Sequence, residues 1–125
     1  MFTLLAFLIL LGAASLPASE SPVIVRLRGG NAFAPATVIV SARIEKHAWN
    51  REVCAAIDEG IFATQSCRPH VGTDAPTQVI FEPFRDLPEG EYTATVYVNR
   101  QNLDTGKWER VSGFINFRIL AAFGA

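Results

Sequence analysis

The sequence predicts an all-β fold in which about seven strands form two packed antiparallel sheets. Three observations carry that expectation. From Ser21 onward apolar residues recur at every second position, the spacing of a strand with one buried face rather than the three- and four-residue spacing of a helix. Clusters of Gly, Pro and Asp punctuate the alternating runs at short intervals. Roughly a hundred residues follow the apolar N-terminal stretch, enough for one core and too few for two.

The elements follow in order. SPVIVRLRG opens with Pro22, whose missing N–H suits a first or edge strand, and sets Val23, Val25 and Leu27 against Ile24, Arg26 and Arg28. Gly29 and Gly30 end it, and NAFAPA forms a loop restricted by Pro35. TVIVSARIE repeats the alternation with Val38, Val40, Ala42 and Ile44 on its apolar face. REVCAAID and IFATQSC flank Glu59 and Gly60 as a hairpin. After the turn-rich CRPHVGTDAP, TQVIFEPF reads as one strand with Val79 and Phe81 on its inner face. DLPEG is a turn, with φ fixed at Pro88 and freedom for a positive φ at Gly90. EYTATVYVN then places Tyr92, Ala94, Val96 and Val98 inward, and after QNLDTGK the run WERVSGFINFRIL does the same with Val111, Gly113, Ile115, Phe117 and Ile119. These last two strands should pair antiparallel.

Residues 1–19 read as a signal peptide or membrane anchor, and residues 20–125 as the sandwich domain. Phe2 to Ala14 is apolar apart from Thr3, and small residues with a proline follow, as in the hydrophobic and cleavage regions of a secretory signal. No Lys or Arg precedes the run. As a helix, residues 2–18 rise about 26 Å, slightly short of the about 30 Å of hydrocarbon in a bilayer. A cleaved signal, a retained anchor and an N-terminal helix packed on protein remain the three alternatives. The first two place the domain outside the cytoplasm, periplasmic, secreted or anchored at the cell surface.

Charge and motifs remove several function classes. Eleven basic and twelve acidic side chains give a formal net charge of −1, and that mixed surface offers no footprint for nucleic acid. Arg26, Arg28, Arg43 and Lys46 are interleaved with or adjacent to apolar residues, as on a solvated strand face. His47 and His70, with Asp58, Asp74 or Glu45, would have to converge to hold a metal, and isolated loop histidines seldom do. Ser66, His70 and Asp74 lack a nucleophile elbow, and Glu82, Asp86 and Glu89 are spread along a strand and turn rather than paired across a cleft. Neither a phosphate loop nor a dinucleotide fingerprint occurs. No catalytic residue, cofactor or metal is expected.

Cys54 and Cys67 lie almost equidistant from the Glu59–Gly60 turn, so paired strands would set them opposite each other. A redox couple would favour C-x-x-C at a helix start, which this spacing is not. A structural disulfide is the expected state, with a redox couple or two buried free thiols as the alternatives.

Tryptophan before a cysteine on a middle strand, Trp49 and Cys54, together with DLPEGEYTATV leading into a late strand, resembles immunoglobulin-like and fibronectin type III-like modules of bacterial and phage surface proteins. The resemblance spans about residues 22 to 120 and implies an immunoglobulin-like sandwich, with Trp49 packed between the sheets and Tyr92 fixing a corner. It departs in its cysteines, which lie too close in sequence for a bridge between sheets and should staple one hairpin.

Function is therefore expected to reside in a surface. The leading expectation is a noncatalytic structural or protein-interaction module with a protein partner or self-association. A carbohydrate or small-ligand module, using rings with Asn99, Gln101, Asn102 and Asp104, is the alternative. Candidate contact residues are Trp108, Phe62, Ile61, Tyr97 and Phe114, since exposed rings mark partner surfaces. The stapled hairpin should present Ile61 and Phe62 in a fixed place. SPVIVRLRG and WERVSGFINFRIL are the edges expected to be open to strand addition.

Overall fold

The computed structural model describes residues 21–122, so the leader or anchor expected over residues 1–19 lies outside the described residues. The alternating runs become β1 (Val23–Arg28), β2 (Ala36–Ile44), β3 (Asn50–Asp58), β4 (Ala63–Pro69), β5 (Gln78–Ile80), β6 (Phe84–Leu87), β7 (Gly90–Gln101) and β8 (Trp108–Ile119), with a 3₁₀ turn at Gly72–Asp74. One sheet has the order β1-β2-β5, with β6 also on β2, and the other has the order β4-β3-β7-β8. All these pairs are antiparallel. The architecture is a two-sheet β-sandwich, as the periodicity predicts.

One expected strand divides. TQVIFEPF is not continuous, because β5 leaves β2 after Ile80 and β6 rejoins it at Phe84. Phe81 still donates its N–H to the Val40 carbonyl, but Pro83 in the gap has no N–H to offer. The division raises the strand number to eight while Val79, Phe81, Phe84 and Leu87 all stay buried.

The core sits between the inward faces. Val38, Val40, Ala42 and Ile44 of β2 meet Val53, Ala55 and Ile57 of β3 and Ala94, Val96 and Val98 of β7 in one cluster. Side chains on successive strand residues point to opposite faces, so each run contributes every second residue. Aromatic rings close one end: Tyr92 stacks on Phe117 at 5.2 Å between centroids, and Phe62 meets Tyr92 edge-on at 6.5 Å. Tyr92 also donates from Oη to the Pro88 carbonyl at 2.6 Å, tying the turn to the start of β7.

The opposite end is closed by polar groups. Arg100 continues the inward parity of β7 and is buried, donating from Nε to Oδ1 of buried Asn50 at 2.9 Å. Asn50 in turn donates from Nδ2 to the Glu45 carbonyl. Nη2 of Arg100 has no partner among the described residues. This pair occupies the end of the core, and Trp49 does not: it is half-buried in the turn before β3, edge-on to His47 with centroids 5.1 Å apart. The expectation of a tryptophan between the sheets is corrected accordingly.

Candidate interaction surface

The ladder fixes which residues face outward on the β4-β3-β7-β8 sheet. Cys54 opposes Cys67 on one side and Tyr97 on the other, and Tyr97 opposes Ser112. Cys54 and Cys67 are joined by a disulfide with Cα atoms 4.1 Å apart. A staple of this kind belongs to an oxidising, extracytoplasmic compartment. It lies on the outer face, bridging one hairpin and leaving the two sheets unlinked.

Beside it runs a connected polar row. Arg110 lies over the Tyr97 ring, 4.0 Å from its centroid, and donates from Nε to Oδ1 of Asn99 at 3.1 Å. Asn99 donates from Nδ2 to Oε1 of Glu52, and Tyr97 donates from Oη to Oε1 of Gln65. The row holds β4, β3, β7 and β8 in one surface and half-covers Tyr97.

The five candidate contact residues separate into two groups. Trp108, Tyr97 and Phe114 share the outer face, with Trp108 61% and Phe114 68% exposed. Trp108 opposes Gln101 and Phe114 opposes Thr95, about 20 Å apart at 3.4 Å per strand residue. Ile61 and Phe62 lie at the β3–β4 turn, at the other end of the sandwich. Ile61 is 97% exposed, whereas Phe62 leans on Tyr92.

The edges differ from one another in how they are guarded. β1 and β8 are both outermost, as expected, and they approach so closely that a methyl group on Gly113 would stand 2.4 Å from the Val23 carbonyl oxygen. Between them runs a shallow groove of about 370 Å³ lined by Val23, Ile24, Val25, Ser112, Gly113 and Phe114. The end of β8 is covered: Asn31 and Ala34 donate to the carbonyls of Arg118 and Leu120, and Leu120 donates to Ala32. The bonds at Arg118 and Asn102–Lys107 set the parity of the ladder, so the main-chain groups of Arg110, Ser112, Phe114 and Asn116 point away from β7. β4 is the other outer strand of the sheet that ends in β8, and its openness was not anticipated from the sequence. Its one signal there is ATQSC, five residues without a charge.

The polar residues weighed for other chemistries are occupied or dispersed. Asn102 Oδ1 accepts the backbone N–H groups of Asp104 and Thr105, and Gln101 donates to the Gly106 carbonyl, so these groups shape the β7–β8 turn. His47 Nδ1 accepts the Trp49 N–H. His70 is buried at the end of β4, and burial, aided by the Arg68 charge, holds its imidazole below the usual histidine range. Among the described residues neither histidine joins a group of metal-ligating side chains; Glu52, Cys54 and Cys67 do cluster, but both sulfurs are committed to the disulfide. No hydrogen bond links Ser66, His70 and Asp74 among the described residues.

The chain matches no protein-family model, no curated protein and no solved structure.

Proposed function

We propose that the protein is a noncatalytic, immunoglobulin-like module of an extracytoplasmic surface assembly, an accessory subunit or repeated unit that holds an extended segment of another protein along β8. The carrying observation is the run of β8 from Arg110 to Asn116, whose outward main-chain groups have no partner strand among the described residues, flanked by exposed Phe114 and, across a shallow groove, by Ile24. A strand added there gains main-chain hydrogen bonds from the edge and apolar contacts from the two flanking side chains. Trp108 extends the same face beyond the groove and supplies a second aromatic anchor of the kind that dominates interface energetics.

The Tyr92–Pro88 corner supports the immunoglobulin-like reading, since a tyrosine at the start of a late strand serves this purpose there. So does the strand order, with β4 beside β3 as an added strand of the β3-β7-β8 sheet. Export under the direction of residues 1–19, followed by release or retention at a membrane, completes the reading. Trp108→Ala combined with Phe114→Ala tests it. Gentle purification should recover a partner with the wild type and lose it with the double variant, while the melting temperature is unchanged because both rings are exposed. A wild type that brings down no other protein, or a double variant that keeps it, would refute the reading.

A further inference from the structure

The β4 edge points to a second partner of a different kind. Strand β4 is the outer strand opposite β8 in the same sheet, and Ala63, Gln65, Cys67, Arg68 and Pro69 are all exposed. Its ladder with β3 runs without a shift, and two bonds at its ends fix the parity: Glu59 donates to the Phe62 carbonyl, and His70 donates to the Arg51 carbonyl. Antiparallel ladders alternate bonded and non-bonded pairs. Thr64, Ser66 and Arg68 therefore turn their main-chain groups toward β3, and Ala63, Gln65 and Cys67 turn theirs outward. Natural edges are usually blunted by a charge, a proline, a bulge or a covering loop. Among the described residues this one shows none of these from Ala63 to Cys67; the charge and the proline come after, at Arg68, whose guanidinium is turned to the Ile80 carbonyl and the Phe81 ring, and at Pro69, and the disulfide at Cys67 holds the strand in register.

We infer that β4 pairs antiparallel with β4 of a second copy of this chain, about a two-fold axis through Gln65. In that register Gln65 faces its own counterpart, Ala63 faces Cys67 of the second copy, and each pair exchanges two N–H···O=C bonds. Every outward donor and acceptor on the three residues is satisfied. Sliding the strands by two residues one way would set Ala63 against Pro69, which has no N–H, and the other way would set Cys67 against Ile61, beyond the end of β4. No charged residue lies between Phe62 and Cys67, so nothing repels across the axis. The same register lays Ile61, the most exposed apolar side chain among the described residues, beside Pro69 of the second copy. A continuous sheet across two copies leaves β8 free at both outer ends, so the inference extends the proposed function without depending on it.

The axis through Gln65 makes a charge-swap test decisive. Gln65→Lys sets two ammonium groups opposite each other in a pair of like chains, and Gln65→Glu sets two carboxylates, whereas a mixed pair joins opposite charges. The full chain, expressed with export and purified in mild detergent, is measured by size-exclusion chromatography with light scattering over a dilution series. The wild type should show the protein mass of two chains, each variant alone that of one, and the equimolar mixture of variants that of two again. A wild type of one-chain mass at every concentration overturns the inference, as does either variant remaining paired alone or a mixture that fails to pair. Trp108→Ala with Phe114→Ala should leave the two-chain mass intact, and its loss there would place self-association at β8 and overturn the inference. A one-chain wild type that still retains another protein through Trp108 and Phe114 would refute the second copy and leave the proposed function standing.

Discussion

Replacing Gly113 with alanine should destabilise the sandwich, although the local backbone preference argues the other way. Glycine in a strand interior is about 0.5–1 kcal/mol worse than alanine, so without a clash the substitution would stabilise. The added methyl group, however, would stand 2.4 Å from the Val23 carbonyl oxygen and 3.2 Å from its carbon, both backbone atoms, and 3.4 Å from Cγ2 of Val25. Carbon and carbonyl oxygen ordinarily approach to about 3.3–3.6 Å, so β1 must move off β8 by about 1 Å. Overpacking of this kind costs about 1–3 kcal/mol, so mid-range values leave a net loss of about 1 kcal/mol after the backbone gain. For a domain of this size that corresponds to a fall in Tm of roughly 4–8 °C. Urea unfolding supplies the free energy, and hydrogen exchange should show faster opening of β1 than of the β7–β8 pair. A Gly113→Ala protein as stable as the wild type, or more so, would refute the placement of β1 against β8.

Three further outcomes follow from the packing. Cys54→Ser with Cys67→Ser should lower stability by about 3 kcal/mol, as expected for a loop of this length, and should accelerate exchange over residues 54–67 more than in β7 and β8; equal protection would mean that packing alone fixes the hairpin. Tyr92→Phe removes the bond to the Pro88 carbonyl, which belongs to an exposed residue and can turn to water, and should cost about 0.5–1.5 kcal/mol in urea unfolding, with an unchanged far-ultraviolet spectrum. His70 titrates below its unfolded value of 6.5, so the unfolded chain binds its proton first as pH falls. Its contribution is present above pH 6.5 and is lost as pH drops from there through the folded pKa, giving stability that rises with pH in that window. His70→Gln should flatten the slope, and a slope unchanged by the substitution would assign it to another group.

What the sequence disclosed, and what it concealed, divides along physical lines. TVIVSARIE and EYTATVYVN declare their inward faces because one side of each is wholly apolar, and both faces are as read. The cysteines could be paired because their separation from a single turn is a local quantity. Whether TQVIFEPF stays on β2 is set by a neighbour distant in sequence, and Pro83 was the available warning. Trp49 lies outside the core because Asn50 and Arg100 close that end; the alternation from Tyr92 through Val98 already pointed Arg100 inward, but an arginine at a strand terminus reads more readily as solvated. The contact candidates were individually legible as aromatic or apolar residues near turns and strand faces. Their separation into the β8 face and the β3–β4 turn depends on strand order, which alternation alone does not specify.

The proposed function turns on whether β8 meets another protein in its native setting, and site-specific photocrosslinking measures that directly. A photoreactive phenylalanine analogue placed at Phe114 or at Trp108 in the full chain, in the organism that makes it, should each yield an adduct with the same discrete polypeptide. The analogue at Gln78, on the outer face of the opposite sheet, should yield none. Adducts absent at both β8 positions, or equally strong at Gln78, would contradict a partner held along β8.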